Sequence, residues 1–466
     1  MQFLLVNPST REQKGATSVA LTIPPMGLAY LAAVIEKHGA GVEILDANLY
    51  GIDPDGVAAQ VKGIPDVIGI TVNILTAKMA LKYAEELKKA YPKAMIMFGG
   101  PYVSVTGCRL LEEHGMLDAL IMGEGEATIG EIVERLKQGA SFDGVLGVIF
   151  RDKGKIIDNG PRPLIADIDS IPMPAYQLLP HLSKYRSRSR VAPVGYVFTS
   201  RGCPAACTFC YRNFGTKWRP RSADKVFEEI EFLVKNYGIR QLEFMDDNFA
   251  SDPARAKRIL QMLIDKKLGL KINLQIGVRI HSLDMELLRL MRKAGVFKFG
   301  FGIESGDPGI LKKIKKGLNL ERALRIVGAA RSLGMITHGY FIIGFPGDTP
   351  ETMRRTIDFA KKLNAHYASF SICAPLPGTE MFDDIARNGE FLEDVTGGID
   401  EGLFAMKAFF KYGETTPEEV VKYCKLAWKE FYIRPLKILD VLTTVRSWGE
   451  LMWLVRVVGD MIRIKR

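Results

Sequence analysis

Apolar and polar positions alternate along the chain with two periods. In the first 135 residues, short apolar runs occur at FLLVNP (3–8), VEILDA (42–47), VIGITV (67–72), AMIMFGG (94–100) and DALIMG (118–123). Each is short enough to read as a strand. MGLAYLAAVIEKHG (26–39) and AKMALKYAEELKKAY (77–91) carry the helical pattern between them. Apolar strands separated by helices predict an α/β fold, a doubly wound, Rossmann-like parallel sheet over residues 1–135.

Ligands in such sheets sit beyond the carboxyl ends of the strands. Those ends offer Ser9, Thr71, Asn73, Gly99, Gly100 and the turn Gly123, Glu124, Gly125 and Glu126. Small residues there let a bulky flat ligand approach the backbone. No GxGxxG follows the first strand, which argues against a dinucleotide.

Residues 136–190 read as a linker. It holds a small hairpin turning at Asp152–Lys155, then Pro172, Pro174 and Pro180. A second βα series follows over 191–400. Strands are expected at 195–201, 241–246, 272–279, 297–303, 335–343 and 367–373, with helices after them. Residues 401–466 are expected to be a separate helical region, opened by Thr416 with Glu419 at the capping-box position. At its end Leu451, Leu454, Val455, Val458, Met461 and Ile462 share one face, with Arg456, Asp460, Arg463, Lys465 and Arg466 mostly elsewhere and Trp448 and Trp453 adding bulk. Such a helix either lies in a membrane interface or packs on the barrel.

The net charge of +10 over 466 residues suits anionic partners, but it is spread along the chain. With no zinc-finger spacing or arginine-rich run, nucleic acid is not the expected partner. The first apolar run is too short for a signal peptide, and no apolar stretch is long enough to span a bilayer. The chain is expected in the reducing cytosol.

Six cysteines are too few for a disulfide scaffold. Cys108, Cys373 and Cys424 stand alone and read as small buried hydrophobes. Cys203, Cys207 and Cys210 follow an apolar strand in GYVFTSRGCPAACTFC (195–210), spaced C-x3-C-x2-C. Zinc sites usually take four ligands, often as paired CxxC motifs. Three close thiolates without a fourth ligand suit a [4Fe–4S] cluster with one open iron.

This motif, with Phe209 before the last cysteine, resembles the signature of the radical S-adenosylmethionine (SAM) superfamily. The resemblance implies a partial (β/α)6 barrel, with SAM across the strand ends and its methionine part on the open iron. Residues at those ends then take expected roles. Asp247, in QLEFMDDNFA, lies near the SAM amino group. Gln275 and Arg279 share a strand face, with Arg279 toward the SAM carboxylate or Asp247. Glu304 accepts from the ribose hydroxyls beside Ser305. Gly344 and Pro346 shape the adenine pocket with backbone groups, and Phe209 packs near adenine or in the core.

The first 135 residues resemble the cobalamin-binding domain attached to many radical SAM enzymes. The Asp-x-His-x-x-Gly motif of methionine synthase type is missing after the first strand, and DANLYG (46–51) has Asn48 where its His would be. Any cobalamin is therefore expected to lack a protein His ligand. The whole chain resembles the group containing class B methyltransferases and the anaerobic magnesium-protoporphyrin monomethyl ester cyclase. That implies C-methylation of an unactivated carbon in a hydrophobic substrate (lipid, isoprenoid or tetrapyrrole-like), with a one-electron donor such as ferredoxin or flavodoxin. Oxidative cyclisation, carbon–carbon coupling and a cobalamin- or SAM-binding sensor are the alternatives. The tail resembles those of relatives that act on greasy substrates, implying peripheral contact with the cytoplasmic face of a membrane.

Overall fold

Two largely parallel sheets carry the chain, and the computed structural model describes residues 1–9, 22–185, 190–275, 278–396, 406–446 and 452. The first sheet is built from β1 (Gln2–Asn7), α1 (Met26–Lys37), β2 (Gly41–Asp46), α2 (Ala47–Tyr50), β3 (Val67–Thr71), α3 (Ala77–Ala90), β4 (Met95–Gly99), α4 (Pro101–Thr106), α5 (Arg109–Glu113), β5 (Ala119–Ile121) and α6 (Gly125–Lys137). Then come β6 (Val148–Asp152) and β7 (Lys155–Asp158). The strand order is β2-β1-β3-β4-β5-β6-β7.

The five expected strands form and run parallel. The hairpin expected in the linker instead joins the sheet, with β6 antiparallel to β5. Val148, Ile149 and Phe150 are buried there, so the hairpin covers an edge that β5 would leave open.

The second sheet follows from β8 (Val194–Val197), β9 (Ser200–Arg201), β10 (Arg219–Pro220), α7 (Ala223–Tyr237), β11 (Gln241–Phe244), α8 (Pro253–Asp265), β12 (Lys271–Leu274), α9 (Met285–Ala294) and β13 (Val296–Glu304). It continues with α10 (Pro308–Lys313), α11 (Leu320–Ser332), β14 (Ile336–Ile343), α12 (Pro350–Leu363), β15 (Tyr367–Ile372) and α13 (Glu380–Asn388). The order β15-β14-β13-β12-β11-β8 is that of an open, six-stranded partial barrel. Helices cover its outer face, where Leu242, Ile272, Phe299, Phe341 and Phe370 are buried with Ile230, Ile259 and Val327.

β12 is shorter than its sequence suggests. It stops at Leu274, and Arg279 lies at the start of a short turn Ile280–Ser282. Gln275 and Arg279 are therefore not two steps along one strand face, which corrects the expectation drawn from their spacing.

α14 (Pro417–Tyr432) begins with the expected Thr416–Glu419 capping box. It is not a separate unit. Val420, Cys424, Ala427 and Phe431 bury against the barrel, and Trp428 Nε1 donates to the Phe370 carbonyl at 2.9 Å. α15 (Pro435–Leu442) turns its charges inward. Lys437 Nζ donates to the Ala365 carbonyl at 2.8 Å, and Asp440 pairs with Arg331 at 2.7 Å, while Leu436 is 82% exposed. The amphipathic tail 447–466 lies outside the described residues apart from Met452. Among the described residues no helix is long and apolar enough to cross a membrane.

Candidate functional site

The cysteine loop leaves β9 through Gly202, whose φ of +85° lies in the left-handed region. A Cβ there would collide with the Lys217 carbonyl, so the loop can fold only around a glycine. Cys203 N donates to the Gly215 carbonyl at 3.3 Å, and Thr208 N to the Ile314 carbonyl at 3.1 Å. The segment is thus pinned on both sides. Cys203 is half-buried, Cys207 buried and Cys210 exposed at residue level.

Burial, and then the neighbouring Cys207 and Cys203, push the Cys210 thiol up to about 11. Burial also raises Cys207, while Lys316 and Arg279 pull it down. Among the described residues no three His, Cys, Asp or Glu side chains converge as ligands of one ion. A four-iron cluster takes one thiolate per iron, so its ligands stand farther apart than those of a single ion. Three neighbouring thiols with two cations beside them fit that donor set.

Lys316 belongs to this site although its sequence context, KKIKKG, reads as a solvated face. Its Nζ lies 2.7 Å from Glu304 and 6.0 Å from the centre of the Phe209 ring. The Arg279 guanidinium donates to the Lys316 carbonyl at 2.8 Å. Glu304 closes β13 with a φ of +68°, a conformation that costs a non-glycine residue energy and clusters at functional sites. A Cβ on Gly302 would strike the Glu304 carboxylate, so the glycine makes room for the ion pair.

Around this pair the other expected residues divide. Phe209 packs against Phe345 at 5.4 Å. Asp247 is exposed, takes a hydrogen bond from the Gly202 backbone and raises the Cys210 thiol, so it stands beside the loop. Its neighbour Asp246 is buried and accepts from Thr199 N at 2.6 Å and Ser200 Oγ at 2.7 Å, which fixes the strand ends. Ser305 is turned to Thr356 Oγ1 at 3.1 Å and to Asp307 N, so its hydroxyl is engaged within the fold. The Gly344 N–H is taken by Asp348 at 3.0 Å, and Pro346 lies in the same turn. Burial pushes the Asp348 carboxyl up to about 6.

The first sheet brings its strand ends to the same region. Ser9 N–H reaches the Tyr83 hydroxyl. Asn73 Oδ1 accepts from Leu75 N and Thr76 N, shaping the turn after Thr71. Gly99 ends β4, and Gly100, at φ +110°, packs its backbone on Val72. Gly123 N donates to Ser104 Oγ at 2.9 Å, and Val105 of the same helix lies beside Gly378 and Tyr211 of the barrel.

Glu124 and Glu126, expected to face a cofactor, are taken up by the barrel instead. Arg201 reaches Glu124 at 3.1 Å and Glu126 at 2.5 Å, and Arg219 reaches Glu124 at 2.7 Å. All four side chains are less than 10% exposed. Gly125 opens α6 between the two carboxylates. Arg201 was legible as the loop entry, but nothing in the sequence marked Arg219 as a second cation on Glu124.

Residues 197–360 match the Radical SAM superfamily, and residues 13–133 match the B12 binding domain. An uncharacterized methyltransferase of Pyrococcus horikoshii is 36% identical over 93% of this chain and 93% of its own length. The cytidylyl-2-hydroxyethylphosphonate methyltransferase of Streptomyces wedmorensis is 33% identical, covering 83% of this chain and 82% of its own. The radical SAM methyltransferase TsrM of Kitasatospora setae has the same fold, with a TM-score of 0.73 over 93% of this chain and 90% of its own, at 22% identity. A B12-type sheet joined by buried charges to a partial barrel with a three-cysteine loop agrees with both matches. The chain belongs to the radical SAM enzymes that carry a B12-binding domain, the cobalamin-dependent radical SAM methyltransferase family, whose cofactors are a [4Fe–4S] cluster, SAM and cobalamin.

Proposed function

We propose that this protein transfers a methyl group to an unactivated carbon of a small molecule. The observation that carries the reading is the buried join of Arg201 with Glu124 and Glu126, which holds the cysteine loop against the last strand end of the B12-type sheet. When bound, the cluster, SAM and cobalamin supply the electron, the hydrogen-abstracting radical and the methyl group.

The chain's own residues bind and orient. Cys203, Cys207 and Cys210 hold the cluster. Lys316 and Arg279 offset the charge of the thiolates and of the SAM carboxylate. Glu304 receives the ribose hydroxyls, with its carboxylate held in place by the ion pair to Lys316. Phe209, Gln275, Gly344 and Pro346 line the nucleoside side, and Asp247 stands by the amino group. Ser9, Thr71, Asn73, Gly99, Gly100, Gly123 and Gly125 offer close backbone approach to cobalamin. Reducing electrons come from a one-electron donor.

Polar side chains on the inner face of the barrel, among them Glu243, Asn273, Lys298 and His338, favour a polar substrate over the hydrophobic one that the resemblance implies. Peripheral membrane contact is a separate part of the reading, supported by exposed Leu436 and Leu439 ahead of the basic tail. Co-sedimentation with anionic vesicles tests it.

The deciding experiment is anaerobic reconstitution with iron, sulfide and hydroxocobalamin, followed by absorption spectroscopy and reaction with methyl-deuterated SAM. Retained cobalamin beside one cluster, and deuterated methyl in a product, support methyl transfer. A cluster without retained cobalamin, giving 5′-deoxyadenosine but no methylated product, sinks it and leaves oxidative cyclisation or coupling. No SAM cleavage under strong reduction leaves a sensor.

A further inference from the structure

The inner face of the partial barrel carries a band of polar side chains. The interior of a closed eight-stranded barrel is instead filled mostly by Val, Ile and Leu. Here the side chains opposite the helix-packed face include Gln241 and Glu243 on β11, Asn273 on β12, Lys298 on β13, His338 and Tyr340 on β14, and Tyr367, Ser369 and Ser371 on β15, beside Val194, Tyr196, Ile336 and Ile342. Strand register sets Glu243, Asn273 and Lys298 side by side, and sets His338 beside Tyr367 one layer higher.

These groups are organised among themselves. Gln241 Nε2 donates to Glu243 Oε1 at 2.9 Å, and Asn273 Nδ2 donates to the same oxygen and to Gln275 Oε1, each at 3.3 Å. His338 Nε2 is 2.9 Å from Ser369 Oγ, and its ring stacks on Tyr340 at 4.6 Å. Lys298 Nζ lies 5.4 Å from the centre of the Tyr367 ring.

Two observations point to a ligand rather than to a sealed polar core. Asn273 is 2% exposed, and its carbonyl oxygen is buried with no hydrogen-bond partner. Such an acceptor costs about 1–3 kcal/mol unless something donates to it. Gln275, Lys298, Tyr340, Tyr367, Ser369 and Ser371 are all half-buried, so this face is reached from outside. It runs below Glu304 and Lys316, that is, below the cysteine loop.

We infer that the barrel interior binds the substrate by a hydrophilic, hydrogen-bonding end, with Asn273, Lys298 and His338 as specificity-determining residues. The substrate class is a water-soluble molecule carrying both donors and acceptors, not an aliphatic lipid. Asn273 accepts from a substrate hydroxyl or N–H. Lys298 and His338 face its oxygen atoms. An apolar chain in this place would leave the Asn273 carbonyl oxygen unpaired, which is how such sites reject molecules that lack the matching groups. The inference rests on the methyl-transfer reading.

The test follows the label, so the substrate need not be known beforehand. Reconstituted holoenzyme with titanium citrate and methyl-deuterated SAM is incubated with the aqueous extract, and separately with the chloroform extract, of the cells that make the protein. A three-deuteron mass shift is expected in the aqueous pool. Asn273→Leu and Lys298→Met are each expected to lower that product about tenfold or more, the loss of one or two buried hydrogen bonds. Iron content and calorimetric SAM affinity report that their fold is intact, and Lys298→Arg should recover part of the signal with a raised KM. Label in the lipid pool, or aqueous labelling indifferent to both variants, overturns the inference. SAM cleavage with no label in either pool removes the methyl-transfer reading itself, and this inference with it.

Discussion

The guanidinium of Arg201, two residues before Cys203, lies 2.5 Å from the carboxylate of Glu126 in α6, the helix after the last parallel strand of the first sheet. Both are buried, so removing one leaves the other charged in a dry place, which costs about 3–5 kcal/mol. Arg201→Met should therefore destabilise the protein by about that amount in urea titration. The double variant Arg201→Met with Glu126→Leu should be milder than the sum of its parts, because the stranded charge goes with its partner. Equal, additive losses would show that the pair does not act as a unit.

Glu304 and Lys316 form the second buried pair, 2.7 Å apart. Glu304→Gln should weaken SAM binding about tenfold by calorimetry, the worth of one charge-assisted hydrogen bond, while iron content stays unchanged. Lys316→Met and Glu304→Gln each leave one buried charge without its counter-ion. Lys316→Met should cost more in stability, because the Gln amide still accepts a hydrogen bond from Lys316 whereas Met offers the Glu304 carboxylate no donor.

Asp348 gives a pH signature. Its carboxyl is raised by burial from 3.8 to about 6 in the folded chain, so the folded state holds the proton more tightly than the unfolded one. That contribution to stability is complete below about pH 4 and is lost as pH rises to about 6, on the order of 3 kcal/mol in all. Asp348→Asn keeps an acceptor for Gly344 N and Phe345 N and should flatten this part of the stability curve. Denaturant midpoints at pH 4.5 and 6.5, compared between the two proteins, measure it.

Trp428 reports whether the C-terminal helix is part of the barrel. Its indole N–H holds the Phe370 carbonyl, and its ring meets Phe370 edge-on at 5.8 Å. Trp428→Ala should cost about 3–5 kcal/mol in a single unfolding transition. Two separate transitions, with the barrel unaffected, would mark the helix as an independent unit.

The sequence by itself determined the order of elements and the nature of the cysteine loop. Strands of three to nine residues in the two main sheets, helices with a 3.6 period and three cysteines in eight positions are local patterns, legible along the chain. The Thr416 cap was legible for the same reason, since a cap and its partner are three residues apart. What only the tertiary structure decided was which charges meet. Glu124 lies 77 residues from Arg201 and 95 from Arg219, and no periodicity records such a pairing. In the lysine run 312–316, the turn that follows α10, with Lys315 at a φ of +53°, and the space left by Gly302 bring Lys316 to Glu304, while Lys315 reaches Glu380 at the surface. The polar lining was likewise hidden. Glu243, Asn273 and Lys298 come from three strands and form one layer only when register aligns them, because side-chain alternation sets the face of each residue and the partner strand sets its neighbours.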